Sequence, residues 1–395
     1  MHAGRRDPAC VGATPGAARA PLISFARSVT SLQQRWLTSR GFQRWALSFP
    51  LTGWIARRRA RLLFDLCAGF VYSQVLLACV RLKVFDKLRA GPRSVYELAA
   101  ELNLSPDATL TLVRAAAALG LLKARRGAHY YGLGIHGAAL VGNPALMPMI
   151  EHHTLFYRDL EDPVALLRGE CGATNLSEFW AYASARRPAA ISEERARRYT
   201  ALMSASQALI ADLILDAYPL RGHHCLLDVG GGDGTFAVAA AARAPNLQIL
   251  LFDLPAVAAR ARERFALGAL AYRASAIGGD FQDDPLPEGA DIISLIRVLH
   301  DHGDEAVLRI LRAARQALPP RGTLIVAEPL SGTSVGARTA DAYFGLYLLG
   351  MGSGRARSLA ALSQLLQAAG FAAPQLLPTQ LPAQLCVVVA KAGSP

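Results

Sequence analysis

The run DVGGGDG, residues 228–234, decides the fold of this chain. It directly follows the apolar run CLLDV and opens an amphipathic segment, so it joins a predicted strand to a predicted helix. Its four glycines permit a tight turn and let a ligand approach the backbone closely. The dinucleotide fingerprint G-x-G-x-x-G, started at Gly230, requires a glycine where the chain has Thr235. Pyrophosphate binding is therefore disfavoured, and Asp228 suits the amino group of a cationic ligand.

Short apolar runs alternate with amphipathic segments from residue 222 onward. Runs that predict strands lie at 225–229, 247–253, just before Gly279, and at 291–298, 322–328 and 385–391. Segments with helical spacing lie at 234–243, 256–265, 304–318 and 358–369. This alternation predicts an α/β fold, in which helices cover both faces of a parallel sheet. Nucleotide ligands of such sheets bind beyond the carboxyl ends of the strands, where the motifs of this chain lie.

Two further motifs follow predicted strands. Asp253 ends the strand after the glycine run, where a carboxylate can accept hydrogen bonds from both ribose hydroxyls. GGDF, residues 278–281, places Asp280 and Phe281 where the amino group and the ring face of an adenine can be bound. Each motif alone is ambiguous, because Asp253 could be a helix N-cap before Pro255 and GGDF a simple turn. Their order at successive strand ends favours one ligand that contains adenosine.

The run RVLHDHGDE, residues 297–305, carries the candidate chemistry. His300 and Asp301 follow one predicted strand, and Glu328 ends a neighbouring one. A histidine beside carboxylates can act as a general base, with the carboxylates orienting its ring. A lone histidine is more often structural, but the position of His300 at the mouth of the predicted cofactor site favours catalysis.

Residues 94–133 predict a small helical domain with a wing. A helix over 94–104 precedes a second helix, which Ser105 caps and Gly120 ends, and a hairpin follows over 121–133. Helix-turn-helix domains with a wing commonly bind DNA, but the candidate recognition helix carries only Arg114 as a basic residue. Reading a DNA groove requires several basic or amide side chains. A dimerisation unit that binds no nucleic acid is favoured, and a DNA-binding regulator with a vestigial cofactor domain is the alternative.

The net charge of +12 is concentrated near the N-terminus. Residues 1–62 contain eleven arginines and one acidic residue, whereas the other 333 residues contain 31 basic and 29 acidic ones. Such a basic segment either lies on an anionic membrane surface or is a solvated, partly disordered extension, and both interpretations stay open. The aromatic residues interleaved with its arginines suit a membrane interface: Trp36, Phe42, Trp45, Phe49 and Trp54.

The apolar run 62–80 is long enough to span a bilayer. Asp65, Ser73 and Gln74 lie inside it, and a carboxylate near the centre of a bilayer costs about 2.5–3.5 kcal/mol. A buried helix, packed within its domain or against a second subunit, is therefore predicted.

The six cysteines are scattered without metal-ligand spacing, and no export signal is apparent. The sequence predicts a cytoplasmic protein without a metal site, peripheral at the inner membrane if the basic segment binds there.

Taken in order, DVGGGDG, LFDLP, GGDF, RVLHDHGDE, VAE and LLQAAGF resemble the small-molecule O-methyltransferases of the caffeate and acetylserotonin type. The resemblance covers about residues 62–393. Within that family, the run over 44–86 and GSGRARS at 352–358 look most like bacterial carotenoid enzymes that methylate hydroxyneurosporene and demethylspheroidene. The resemblance implies a small hydrophobic substrate with a hydroxyl, here a tertiary alcohol of a carotenoid. Another polyketide- or phenol-like metabolite is the alternative.

The resemblance also implies the architecture. The cofactor is S-adenosyl-L-methionine, held by a Rossmann-like domain with a mostly parallel seven-stranded sheet, and a winged-helix-like domain forms a homodimer. The implied limits are a basic arm at 1–45, a dimerisation domain at 46–145, a helical connection that caps the cofactor site at 146–221, and the methyltransferase domain at 222–393.

Site residues are carried over from the family by position. His300 becomes the proton acceptor, with Glu328 orienting it and Asp301 as a further catalytic carboxylate. Two positions depart from the family pattern: His302 replaces a tryptophan, and Ala356 replaces a second glutamate that would support the base. The implied cofactor contacts are Gly230, Asp253, Gly279, Asp280, Phe281 and Arg297, with Tyr182 from the capping helices.

Overall fold

The computed structural model describes residues 34–125, 127, 129–143, 145–180, 193–268, 270–332, 338–382 and 384–393. Residues up to 75 belong to one compact unit, and residues from 76 onward belong to a second. Most of the predicted basic arm, residues 1–33, lies outside the described residues, as does Tyr182.

The first unit contains α1 (Arg40–Ser48) and most of α2 (Gly53–Arg81). The side chain of Ser39 caps α1 by accepting a hydrogen bond from the backbone N–H of Phe42. Phe42, Trp45 and Phe49 recur at spacings of three and four, so they lie on one side of the helix. Their successive ring centroids are 5.7 and 4.8 Å apart, and Trp36 extends the row at 6.0 Å from Phe42.

Helix α2 is long and apolar enough to cross a membrane, judged by length and composition alone. In the most apolar stretch of 18 residues in this helix, only 17% is buried. Leu77 and Cys79 near its end are buried, whereas Phe64 and Phe70 are exposed. The predicted burial over 62–80 is therefore confirmed for the end of the helix, whereas its middle is exposed in a single chain and the predicted packing against a second subunit stays a prediction.

A small winged-helix domain follows. Its elements are α3 (Val84–Lys87), β1 (Arg93–Ser94), α4 (Val95–Leu102), α5 (Pro106–Ala118), β2 (Leu122–Arg125), β3 (Tyr130–Leu133) and α6 (Ile135–Gly142). Strand β3 pairs antiparallel with both β1 and β2. Ser94 and Glu97 form a capping box at the start of α4, and Ser105 caps α5 with Pro106 in its first turn. The predicted pair of helices and the hairpin are confirmed.

Among the described residues, four helices lie between this domain and the sheet: α7 (Leu146–Asp159), α8 (Pro163–Arg168), α9 (Asn175–Phe179) and α10 (Glu193–Ala217). Asp159 is buried and joins α7 to the start of α9. Its carboxylate accepts hydrogen bonds from the backbone N–H groups of Asn175 and Leu176, at 2.8 and 2.9 Å. A carboxylate at a helix N-terminus binds the unpaired N–H groups there, so this contact fixes α9 against α7.

The second half of the chain is an α/β unit. Its elements are β4 (Cys225–Val229), α11 (Thr235–Arg243), β5 (Gln248–Asp253), α12 (Pro255–Ala266), β6 (Ala274–Gly278), β7 (Ile292–Ile296), α13 (Asp304–Ala317), β8 (Thr323–Glu328), α14 (Gly345–Met351), α15 (Leu359–Ala368), β9 (Phe371–Leu377) and β10 (Cys386–Ala392). A 3₁₀ turn, Leu299–Asp301, follows β7, and a π-helix, Arg338–Phe344, leads into α14.

The strands form one seven-stranded sheet in the order β6-β5-β4-β7-β8-β10-β9. All neighbours are parallel except that β10 runs antiparallel to β8 and β9. Apolar side chains on the two faces pack against different helices, as shown by Leu226 in one core cluster and Leu227 in another. The carboxyl ends of β4, β5, β7 and β8 therefore meet at one edge, where the motifs predicted from the sequence lie.

Candidate active site

The glycine run forms the turn between β4 and α11. Gly230 has a φ of 69°, and a Cβ there would lie 2.7 Å from the side chain of Val298. A Cβ at Gly231 would lie 2.6 Å from the carboxylate of Asp228. Both positions therefore require glycine, because a side chain would collide with fixed neighbours. The turn leaves its backbone open toward a cleft.

Asp228 lies buried beneath this turn, with 1% of its surface exposed. The hydroxyl of Ser294 donates a 2.6 Å hydrogen bond to Oδ1, whereas Oδ2 has no hydrogen-bond partner among the described residues. Burial raises the pKa of Asp228 to about 7, although the Ser294 hydrogen bond opposes this. Asp228 does not line the cleft, so the structure does not place its carboxylate against a ligand as the sequence predicted; it lies beneath the turn instead.

Asp253, at the end of β5, connects two loops of the site. Its Oδ2 accepts a hydrogen bond from the backbone N–H of Gly232 at 2.8 Å, and its Oδ1 accepts one from Leu254 at 2.7 Å. Burial raises the pKa of Asp253 to about 7, against the effect of these two hydrogen bonds. Because each carboxylate oxygen has a second lone pair, both can still accept hydrogen bonds from a ligand.

A cleft of about 860 Å³ opens above these residues. Gly279 lies outside its wall, and a Cβ at that position would overlap the ring of Phe252. Gly279 is thus required for packing behind the site. Six residues predicted from the sequence do line the cleft: Gly230, Asp253, Asp280, Phe281, Arg297 and Asp301.

His302 also lines the cleft, at the position where the family has a tryptophan. Its ring meets that of Phe281 edge to face, with 5.5 Å between the centroids. The side chain is almost wholly buried, and burial lowers its pKa, so the imidazole is neutral at physiological pH. His302 therefore belongs to the wall of the cofactor cleft.

His300 lies in the 3₁₀ turn after β7 and is 5% exposed. Its Nδ1 is 3.2 Å from Oε2 of Glu328, and its Nε2 is 3.3 Å from Oδ1 of Asp301. The other oxygen of Glu328 accepts a 2.6 Å hydrogen bond from the backbone N–H of Leu299, which fixes the carboxylate. Burial alone would lower the pKa of His300, but the charges of Asp301 and Glu328 outweigh it and raise the pKa above its ordinary value.

The run GSGRARS holds the backbone of this turn, a role that the sequence did not reveal. Arg357 is 5% exposed and donates hydrogen bonds to the carbonyl oxygens of Leu299 and His302, at 2.7 and 2.6 Å. A Cβ at Gly354 would overlap the carbonyl of His300. Ala356 packs against an apolar cluster, so this run supplies no carboxylate to His300. The signal for this role is a pair of arginines, Arg355 and Arg357, among small residues just before α15.

A second, smaller pocket lies in front of His300, and no sequence motif indicates it. Arg297 and Asp301 line both this pocket and the cofactor cleft, so the two spaces adjoin. Arg297 also donates a 2.9 Å hydrogen bond to Ser206 on α10. The remaining wall is mainly aromatic and thioether surface: Met149, Trp180, Tyr343, Phe344, Tyr347 and Met351.

The arrangement provides a buried base between a polar cleft and an apolar pocket. The part of the chain that the structure describes holds no group of three or more His, Cys, Asp or Glu side chains that could bind a metal ion. A proton acceptor at the junction of two ligand spaces suits group transfer from one ligand to a hydroxyl of the other.

Comparison with known families decides the assignment. An O-methyltransferase domain matches residues 157–372, and an O-methyltransferase dimerisation domain matches residues 64–142. The chain belongs to the O-methyltransferase family. The predicted fold class, methyltransferase activity and S-adenosylmethionine cofactor are thereby confirmed, and the alternative of a DNA-binding regulator is not supported.

Two relatives and one solved structure match most of this chain. Demethylspheroidene O-methyltransferase of Cereibacter sphaeroides is 44% identical over 340 residues, which are 86% of this chain and 89% of that one. Acetylserotonin O-methyltransferase of Mus musculus is 34% identical over 80% of this chain and 84% of that one. The structure of human N-acetylserotonin methyltransferase with S-adenosylmethionine has a TM-score of 0.71 and 27% identity, covering 85% of this chain and 98% of that one.

Proposed function

We propose that this enzyme methylates the hydroxyl of a hydroxylated carotenoid, with His300 as the proton acceptor. The observation that carries the proposal is the position of His300, buried beside two carboxylates where the apolar pocket adjoins the cofactor cleft. The identity of 44% to a demethylspheroidene O-methyltransferase supports the carotenoid class. A polyketide- or phenol-like metabolite is the alternative substrate.

The residues of the cleft fit S-adenosylmethionine. The glycine turn lines the cleft, and its backbone at Gly230 would contact the methionine part of the cofactor. Asp253 would bind the ribose hydroxyls, while Asp280 and Phe281 would bind the adenine. When bound, the cofactor supplies an electrophilic sulfonium methyl group.

The chain's own contribution to the reaction is to orient the substrate and to move one proton. The apolar pocket holds the alcohol with its oxygen near His300, and Arg357 and Glu328 keep the turn that carries this base in place. A tertiary alcohol is a far weaker acid than a phenol, so His300 accepts the proton as the new bond forms. Asp301 and Glu328 stabilise the imidazolium that results.

A direct product assay tests the substrate class. We expect the enzyme to convert hydroxyneurosporene or demethylspheroidene, presented in liposomes with S-adenosylmethionine, to a product heavier by one methylene group in mass spectrometry. One relative, aclacinomycin 10-hydroxylase RdmB of Streptomyces purpurascens, is 33% identical over 77% of this chain, so the fold alone does not fix the reaction. Methylation of phenols only would contradict the carotenoid proposal, and a hydroxylated product would contradict methyl transfer.

The raised pKa of His300 predicts the pH dependence of turnover. Only the neutral imidazole can accept a proton, so kcat/KM should fall as the pH drops, with an apparent pKa above the ordinary value of about 6.5. Glu328→Gln removes one of the two charges that favour the protonated ring, so the acid limb should move to lower pH. A limb at the same pH in the wild type and in Glu328→Gln would contradict the role of this carboxylate.

We also propose that a homodimer forms through the matched dimerisation domain. The exposed apolar side chains in the middle of α2 lie at the beginning of the dimerisation domain, where a second copy of the chain would cover them.

Residues 34–61 precede the dimerisation domain and contain seven arginines but no acidic residue. This segment carries the exposed Trp36, Trp45 and Trp54. We therefore propose a cytoplasmic enzyme that binds the inner membrane peripherally through this segment.

Membrane binding can be measured by sedimentation with liposomes. We expect binding to anionic liposomes at low salt, where each cation contributes about 1 kcal/mol, and release as salt screens the attraction. Trp36→Ala with Trp45→Ala, or deletion of residues 1–45, should weaken binding, whereas Tyr272→Ala, an aromatic side chain that is 99% exposed, is the matched control. Equal binding by all four proteins would remove this segment from membrane contact.

A further inference from the structure

Two hydrogen-bonded histidine–tyrosine pairs lie at the wall of the substrate pocket. His152 and His153, consecutive on α7, place Nε2 at 2.6 Å from the hydroxyl of Tyr347 and at 2.7 Å from that of Tyr343. The indole N–H of Trp180 donates a further hydrogen bond to the Tyr347 oxygen, at 2.7 Å. The tyrosine rings stack at 5.6 Å, and both line the pocket.

The protonation states of the four groups allow the tyrosine hydroxyls to donate these hydrogen bonds. Burial lowers the pKa of His152 to about 4 and also lowers that of His153, so both rings are neutral. Burial raises the pKa of Tyr343 and Tyr347, so both keep their hydroxyl protons. Since the Tyr347 oxygen accepts from Trp180, its own proton is available to His152, and the Tyr343 hydroxyl can donate to His153 in the same way.

The hydroxyls of Tyr343 and Tyr347 are thus hydrogen-bonded to side chains of α7 and to Trp180, which follows α9. The rings of the two tyrosines line the pocket. Phe344 adds another ring, 5.7 Å from that of His300. The polar residues that line this pocket besides the paired ones are His300, Arg297 and Asp301, at its junction with the cofactor cleft. Polarity is therefore concentrated at the reacting end of the pocket.

We propose that His152 and His153 determine substrate class by binding the hydroxyls of Tyr347 and Tyr343. The pocket then accepts the end of an aliphatic alcohol whose reacting hydroxyl is its one polar group. This inference rests on the proposed methyl transfer at His300. The pocket is small, so it takes only the hydroxyl-bearing end and leaves the rest of a long polyene outside.

The pairs matter because an unpaired hydroxyl against hydrocarbon is unfavourable. Without its histidine, a tyrosine hydroxyl loses the acceptor of its proton; an alkyl chain in the pocket cannot replace that acceptor, whereas a polar aromatic ligand can. We expect loss of one histidine to change the ratio of the affinities for an aliphatic alcohol and for a polar aromatic ligand about ten-fold or more.

Two probe ligands, one for each substrate class, can be compared on the full-length enzyme saturated with S-adenosylhomocysteine. They are the tertiary alcohol 2,6-dimethyloctan-2-ol and the phenol 1-naphthol, with each Kd measured by calorimetry. His153→Leu should lower the affinity for the alcohol relative to naphthol about ten-fold, and adding Tyr343→Phe should restore the ratio, because it removes the freed hydroxyl. His224→Leu, an exposed histidine elsewhere, is the matched control.

An unchanged ratio in His153→Leu would overturn the inference, and so would a double variant that does not recover, since loss of packing alone would not be corrected by Tyr343→Phe. The parallel exchange of His152 and Tyr347 provides a second measurement if one variant folds poorly. Failure of the wild type to methylate hydroxyneurosporene or demethylspheroidene with S-adenosylmethionine would instead contradict the proposed function, so the two failures are distinguishable.

Discussion

Replacement of His300 by glutamine is expected to lower kcat for methyl transfer by about 10²–10⁴-fold, the usual contribution of a general base. Glutamine keeps hydrogen-bonding groups in the buried turn but cannot accept the proton of the alcohol. The affinity for S-adenosylhomocysteine should stay close to that of the wild type, because His300 lines the substrate pocket and not the cofactor cleft. Single-turnover rates at saturating cofactor measure the change.

His302→Gln is the matched control for this experiment. His302 is buried to a similar extent two positions away, but it lines the cofactor cleft and contacts Phe281. We expect its substitution to alter cofactor affinity more than the chemical step. Near-normal turnover in His300→Gln together with a large loss in His302→Gln would show that His302 is the base.

The parallel part of the sheet could be predicted because each strand is a short apolar run that ends at a turn or a charged residue. Strand β4 has the predicted limits, and β5, β7 and β8 differ from them by a few residues at most. The sequence does not indicate strand β9. Its sequence, FAAPQLL, lacks alternation and contains Pro374, which is tolerated because β9 is an edge strand with one hydrogen-bonded neighbour.

The cofactor side of the site was predictable for the same reason. Asp228, Asp253 and His300 lie at or just beyond strand ends, and the parallel topology brings such positions together without further information. The substrate side was not predictable, because it depends on contacts such as that between His152 and Tyr347, which are 195 positions apart. The domain limits at residues 46, 146 and 222 stay predictions, and Tyr182 as a cofactor contact stays one too.

Asp253→Ala is expected to abolish most of the thermal stabilisation that S-adenosylhomocysteine gives. The wild type should gain about 2.7 kcal/mol when the ligand is at 100 times its Kd, which corresponds to several degrees in Tm, whereas NADH should have no effect. The variant loses the carboxylate proposed to bind the ribose. It also leaves the N–H groups of Gly232 and Leu254 without their acceptor, at a cost of about 1–3 kcal/mol for each group that stays buried.

The free variant should therefore melt earlier, and the informative quantity is the difference in Tm with and without the ligand. Asp253→Asn separates the two effects, because its amide oxygen can still accept one of the backbone hydrogen bonds while the charge is lost. We expect Asp253→Asn to recover more of the free protein's Tm than of the ligand shift. A full shift in Asp253→Ala would mean that Asp253 only shapes the turn, and stabilisation of the wild type by NADH would contradict the cofactor assignment itself.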